Sequence, residues 1–199
     1  MPVYYLGNFC AAAGFCPVFG GTLRDSLFAG LLGLIIGFVS RQMDRRETNP
    51  FFSTIVEAFA MAAPAYLAAG FHLVDYIDFV IIGTLMILVP GLLITTSMRD
   101  IIYGDTNSGI NRIVQVLLSS FAIALGTAAA WRVTSGVYGL TVSSGSASYP
   151  AWVQAVMIFV ACTGFFILFN VHDWGSILCA LGGLSLIHIS EPTRLDVIS

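Results

Sequence analysis

The chain has 199 residues, 57% of them apolar and only 10% charged, with a net charge of −3 and a mean hydropathy of +0.89. An ordinary soluble domain carries about 25% charged residues, so a disordered tail and nearly every soluble enzyme fold are excluded. All eight cationic side chains are Arg, and without a basic footprint there is no nucleic-acid partner. The lipid bilayer is the solvent that this composition fits.

A membrane-crossing helix needs about 20 apolar residues at 1.5 Å each. The sequence predicts spans over residues 3–19, 23–40, 51–70, 76–98 and 109–131. A sixth covers 152–169, and a seventh begins near Ser176 and loses its pattern after Leu184. Cys10, Cys16, Cys162 and Cys179 all lie in apolar stretches and form no C-x-x-C pair, so they read as small buried hydrophobes. No cofactor and no metal site is expected, because three scattered His residues do not supply ligand spacing. The N-terminus lacks the basic region of a signal peptide. Arg41, Arg45, Arg46, Arg99 and Arg112 fall on one side of the membrane, and Arg24 and Arg132 on the other. That asymmetry places the first group, and the N-terminus, in the cytoplasm.

Residues 133–150 are rich in Ser, Gly and Thr and read as an extracytoplasmic linker. After them the chain begins again. At a shift of 150, Val3, Phe9, Ala11, Gly14, Phe15 and Phe19 match Val153, Phe159, Ala161, Gly164, Phe165 and Phe169. Ser26, Leu31, Gly33 and Leu34 match Ser176, Leu181, Gly183 and Leu184. Two halves of five helices each would enter the bilayer from opposite faces, the inverted-repeat plan of many secondary transporters. The expected fold is therefore an all-α polytopic membrane bundle. Residues 1–132 form the first half, 151–184 open a second, inverted half, and 185–199 form a tail foreign to the pattern.

The stretch Leu88-Val89-Pro90-Gly91 is the clearest candidate site. Pro removes a backbone donor and Gly loosens the helix, so the fourth span should kink or break there. A new helix start after Gly91 would favour a carboxylate, with the hydroxyls of Thr95, Thr96 and Ser97 beside it. The alternative is a structural kink. Glu57 is an ionisable group inside a membrane helix and a functional candidate by default. It would hold a substrate ammonium or carry a proton, or else reach for the headgroups. Asp25 is a candidate for gating or coupling, or the dipole partner and cap of the second helix with Thr22. Arg99, Asp100 and Arg112 read as a gate at the cytoplasmic mouth, or as parts of a tight turn with Asp105, Gly104 and Gly109. Gly30, Gly33 and Gly37 allow close helix approach, and Tyr4, Tyr5, Trp131, Tyr149 and Trp152 read as interfacial aromatics. No paired nucleophile and base is evident, so no enzymatic activity is expected.

These residues together resemble the threonine/serine exporter family of bacterial membrane proteins, whose relatives include succinate exporters. The resemblance is carried by Ala11–Phe15 with Phe19-Gly20-Gly21 and Asp25, by Leu88-Val89-Pro90-Gly91, and by Arg99-Asp100 running into Gly104-Asp105, Gly109 and Arg112. Tyr149-Pro150-Ala151-Trp152 through Phe169-Asn170 is similar to the start of the family's second half. The resemblance implies ten helices in two halves, a multi-pass protein of the bacterial inner membrane, and export of threonine and serine in exchange for protons. Family members usually carry a soluble cytoplasmic region before the first span; this chain starts almost at that span, and both of its ends read as incomplete. The alternatives are a dicarboxylate exporter of the same fold, or a non-transporting subunit partnered by a separate second half or by its own copies.

Overall fold

A computed structural model describes residues 2–138, 147 and 149–169. Seven helices are found among them: α1 (Pro2–Phe19), α2 (Leu23–Asp44), α3 (Pro50–Gly70), α4 (Ile77–Leu85), α5 (Gly91–Ile102), α6 (Thr106–Tyr138) and α7 (Ala151–Leu168). α2, α3 and the Thr106–Ser135 part of α6 are each long and apolar enough to cross a bilayer, and Trp152–Leu168 is a shorter apolar helix. The described residues thus form an all-helical membrane bundle. The continuation of the second half (170–184), the tail (185–199) and the middle of the linker (139–146) lie outside the described residues.

Local chemistry explains most boundaries. Thr22 and Asp25 form a reciprocal capping box that starts α2. Asn49 accepts from the Phe51 N–H ahead of α3, and Pro50 opens that helix where its missing donor costs nothing. The fourth predicted span breaks at Pro90-Gly91, as expected, into α4 and α5. Pro90 has no N–H, and the Gly91 N–H turns back to the Val89 carbonyl at 2.8 Å. The helical ladder is therefore interrupted between Val89 and Ile94. α6 runs beyond residue 131 into the stretch predicted as linker. There Thr134 is buried and donates to the Ala130 carbonyl at 2.8 Å.

α1 packs on α2, α4 and α7, α3 packs on α2, α4 and α6, and α5 packs on α6. Small residues make the close contacts: Ala12, Ala29, Ala62, Ala65 and Ala68 are buried with Leu32, Ile36, Met61 and Val80. A Cβ at Gly33 would fall 2.5 Å from the Asn8 carbonyl oxygen, so only glycine lets α2 lie this close to α1.

The contact between α1 and α7 joins the two stretches related by the 150-residue shift, and it is reciprocal. A Cβ at Gly14 would meet the backbone of Ala161 at 2.6 Å, and a Cβ at Gly164 would meet the backbone of Ala11. Phe15 meets its own counterpart Phe165 edge-on at 5.6 Å. Phe15 stacks on Phe19, and Phe165 stacks on Phe169. Gly7 lies beside Ile167 and Gly14 beside Ala161, so the two helices are antiparallel. A contact whose two sides exchange roles in this way has the form of a two-fold, isologous interface.

Candidate functional site

A cavity of about 250 Å³ opens between α1, α2, α3, the end of α4 and α7. Its polar lining is Tyr4, Asn8, Ser40, Thr54 and Glu57, and its apolar wall includes Ile36, Leu88 and Phe165. Glu57 is 8% exposed and is the one charged side chain in the described lining. It sits two turns into α3, where Ser53, one turn earlier, donates to Oε1 at 2.9 Å. Ser40 of α2 lines the cavity beside it. Asn8 is 1% exposed, and its Nδ2 donates to the Tyr4 carbonyl at 2.9 Å. Thr54 donates to the Pro50 carbonyl and keeps its acceptor capacity. A second, more open cavity shares Tyr4 and is lined by Arg41, Asp44 and Arg45 at the end of α2. Tyr4 thus stands between the buried carboxyl and an arginine-lined mouth.

Asp25 is the other buried carboxylate, and it lies elsewhere, at the opposite end of α2. It is fully buried, and three backbone N–H groups converge on it. Thr22 donates at 2.9 Å to Oδ2, Asp75 at 2.8 Å to Oδ1, and Tyr76 at 3.3 Å to Oδ2. The Thr22 hydroxyl donates to Asp75, which also lies 3.8 Å from Arg24. Asp25 therefore ties the start of α2 to the connection between α3 and α4.

The residues around the helix break do not join the Glu57 cavity. Pro90 is half-buried, and Gly91 is exposed with open space around it. Thr95 and Thr96 donate to carbonyls of their own helix, at 3.0 Å and 2.7 Å to Leu92. Ile87 and Leu88, just ahead of the break, line the cavity instead. At the other end of α5, Arg112 Nε lies 3.2 Å from Asp100 Oδ2 and links α6 to α5. Arg99 turns away and stands 5.8 Å over the Tyr103 ring. Gly104 takes φ +90° in the turn between them, a conformation that favours glycine.

Asn8, Ser40, Ser53 and Thr54 were not singled out from the sequence. For Asn8 the signal was present, since an amide inside an apolar helix is expensive unless it has a use. The serines and threonine give no such signal, because hydroxyls are ordinary in membrane helices.

The family model for threonine/serine exporters (ThrE) matches residues 2–134, about two thirds of the chain. The chain belongs to the threonine/serine exporter family. No curated protein and no solved structure matches it. The family match takes in α1 to α5 and nearly all of α6. α7 lies beyond it, yet supplies Phe165 and Leu168 to the wall of the Glu57 cavity. Membership in this exporter family makes the chain a multi-pass membrane protein of a transport family.

Proposed function

We propose that the chain is part of a secondary exporter of small hydroxy amino acids, threonine and serine, in the bacterial inner membrane, with outward movement exchanged for protons. The observation that carries this reading is the partly open polar cavity, with the buried Glu57 in its wall, inside a membrane bundle of an exporter family. Drug-sized ligands occupy pockets of about 300–1,000 Å³, and a space of 250 Å³ suits a smaller solute. A dicarboxylate is the poorer fit. It would bring two negative charges to a cavity whose charged lining residue is itself a carboxylate. Arg99, Asp100 and Arg112 remain proposed as the cytoplasmic gate, and Asp25 as a coupling residue acting through its tie to the α3–α4 connection. Pro90, Gly91, Thr95 and Thr96 bear on the substrate, in this reading, through the helix break that carries Ile87 and Leu88 to the cavity.

The test is efflux from proteoliposomes that hold the chain and are loaded with labelled threonine, serine or succinate, with and without an imposed proton gradient. Gradient-dependent loss of threonine and serine is expected, with succinate retained. Succinate efflux alone would select the dicarboxylate reading, and no flux of any solute would select a non-transporting subunit.

A further inference from the structure

The Glu57 cavity has features that select a ligand class. The first is its charge. One carboxyl group lies in a space otherwise lined by an amide, hydroxyls and hydrocarbon. A buried carboxylate facing an open space is matched best by a cation that also donates hydrogen bonds.

The second is the geometry of that carboxyl group. Ser53 holds Oε1 at 2.9 Å, and Ser40 of the neighbouring helix lines the cavity beside it. The Ser53 bond fixes the group through one of its two oxygens. Among the described residues, no Lys, Arg or His lines the cavity with it. Its only described charge neighbours near the mouth, Arg41, Asp44 and Arg45, line the separate cavity beyond Tyr4. The contrast with Asp25 is informative, because there backbone donors consume both oxygens.

The third is Asn8. Its amide is buried at 1% exposure and lines the same cavity. One Nδ2 N–H is used on the Tyr4 carbonyl, and Oδ1 keeps its acceptor capacity. The cavity thus presents acceptors: the Glu57 carboxylate, the Asn8 carbonyl oxygen and the hydroxyl oxygen of Thr54. A primary ammonium carries three donors and no acceptor, which complements that set. The volume has room for about eight waters at about 30 Å³ each, enough for a compact amino acid or amino alcohol.

We propose that this cavity is an ammonium-binding site for small primary amines, in which Glu57 supplies the counter-charge and Asn8 a neutral acceptor. The proposal rests on the exporter reading only for the identity of the natural ligand. It assigns the ammonium end of the solute to Glu57 and leaves the carboxylate end directed to the arginine-lined mouth beyond Tyr4.

The experiment measures binding of tritiated threonine to the full chain in nanodiscs, with unlabelled competitors. Serine and threoninol, which keeps the ammonium and hydroxyl but lacks the carboxylate, are expected to compete. N-acetylthreonine, which lacks the ammonium, and succinate are expected not to. Glu57→Gln, which keeps the shape, is expected to weaken threonine binding about 100-fold, the order seen when one partner of a buried charge pair is removed. Asn8→Ala is expected to weaken it less. The proposal is overturned if N-acetylthreonine competes as well as serine, or if Glu57→Gln binds threonine like the wild type in a chain of unchanged melting temperature. The two readings fail separately. Glu57-dependent binding without efflux would leave the site and reject export. Efflux with Glu57-independent binding would leave export and reject the site.

Discussion

Asp25 and Glu57 are both carboxylates withdrawn from water inside a membrane bundle, but the fold uses their oxygens differently. Asp25 accepts three backbone N–H bonds and is fully buried outside the cavity. Glu57 is held by the Ser53 hydroxyl and opens into a cavity. Burial alone therefore does not mark a site. A carboxylate held by backbone donors is a joint between elements, whereas one steadied by a hydroxyl beside an open volume is free to meet a ligand.

Four substitutions probe that contrast. The largest stability effect is expected for Asp25→Ala. It orphans the N–H groups of Thr22, Asp75 and Tyr76, and unsatisfied buried donors cost about 1–3 kcal/mol each when water cannot reach them. A loss of about 3 kcal/mol is expected in thermal or denaturant unfolding in detergent. Unchanged stability would remove the distinction between the two acids.

Gly14→Val comes next. Its Cβ would meet the Ala161 backbone at 2.6 Å, and overpacking of this kind costs about 1–3 kcal/mol. Because α7 walls the Glu57 cavity, threonine binding should weaken as well, although neither acid is touched. Glu57→Gln should shift stability by less than about 1 kcal/mol, since an amide of equal size can still accept from Ser53. A large loss of stability there would make Glu57 a second joint. The smallest effect is expected for Arg112→Ala. Its pair with Asp100 is part-exposed, at 41% and 24%, and such pairs contribute about 0–1 kcal/mol. A double-mutant cycle with Asp100→Ala measures the coupling.

Much of this could be read in the sequence, and the residues show where reading stops. The Thr22–Asp25 box is local, spaced three apart, so the α2 start is visible in the sequence. The donors from Asp75 and Tyr76 lie 50 residues further on, and only the tertiary fold brings them to Asp25. Glu57 stands out as an acid among apolar neighbours. Its companions Ser40 and Thr54 do not, because their relevance depends on which helix face meets which. Pro90-Gly91 announces a break through backbone chemistry alone. The direction in which Thr95 and Thr96 then face depends on the packing of α5 against α6. The Ser and Gly content after residue 132 reads as a loop, yet α6 continues because Thr134 bonds back into its own helix.

The reciprocal α1–α7 seam also bears on how this sequence is free to change. Gly14 cannot enlarge while Ala161 stands against it, and Gly164 cannot enlarge while Ala11 does. Both contacts are with main chain, so no side-chain change opposite relieves them, and each glycine is held in place by the helix it faces. Four of the identities that betray the repeat, Ala11/Ala161, Gly14/Gly164, Phe15/Phe165 and Phe19/Phe169, fall on or beside this seam. The matching positions are therefore also the positions where α1 and α7 touch.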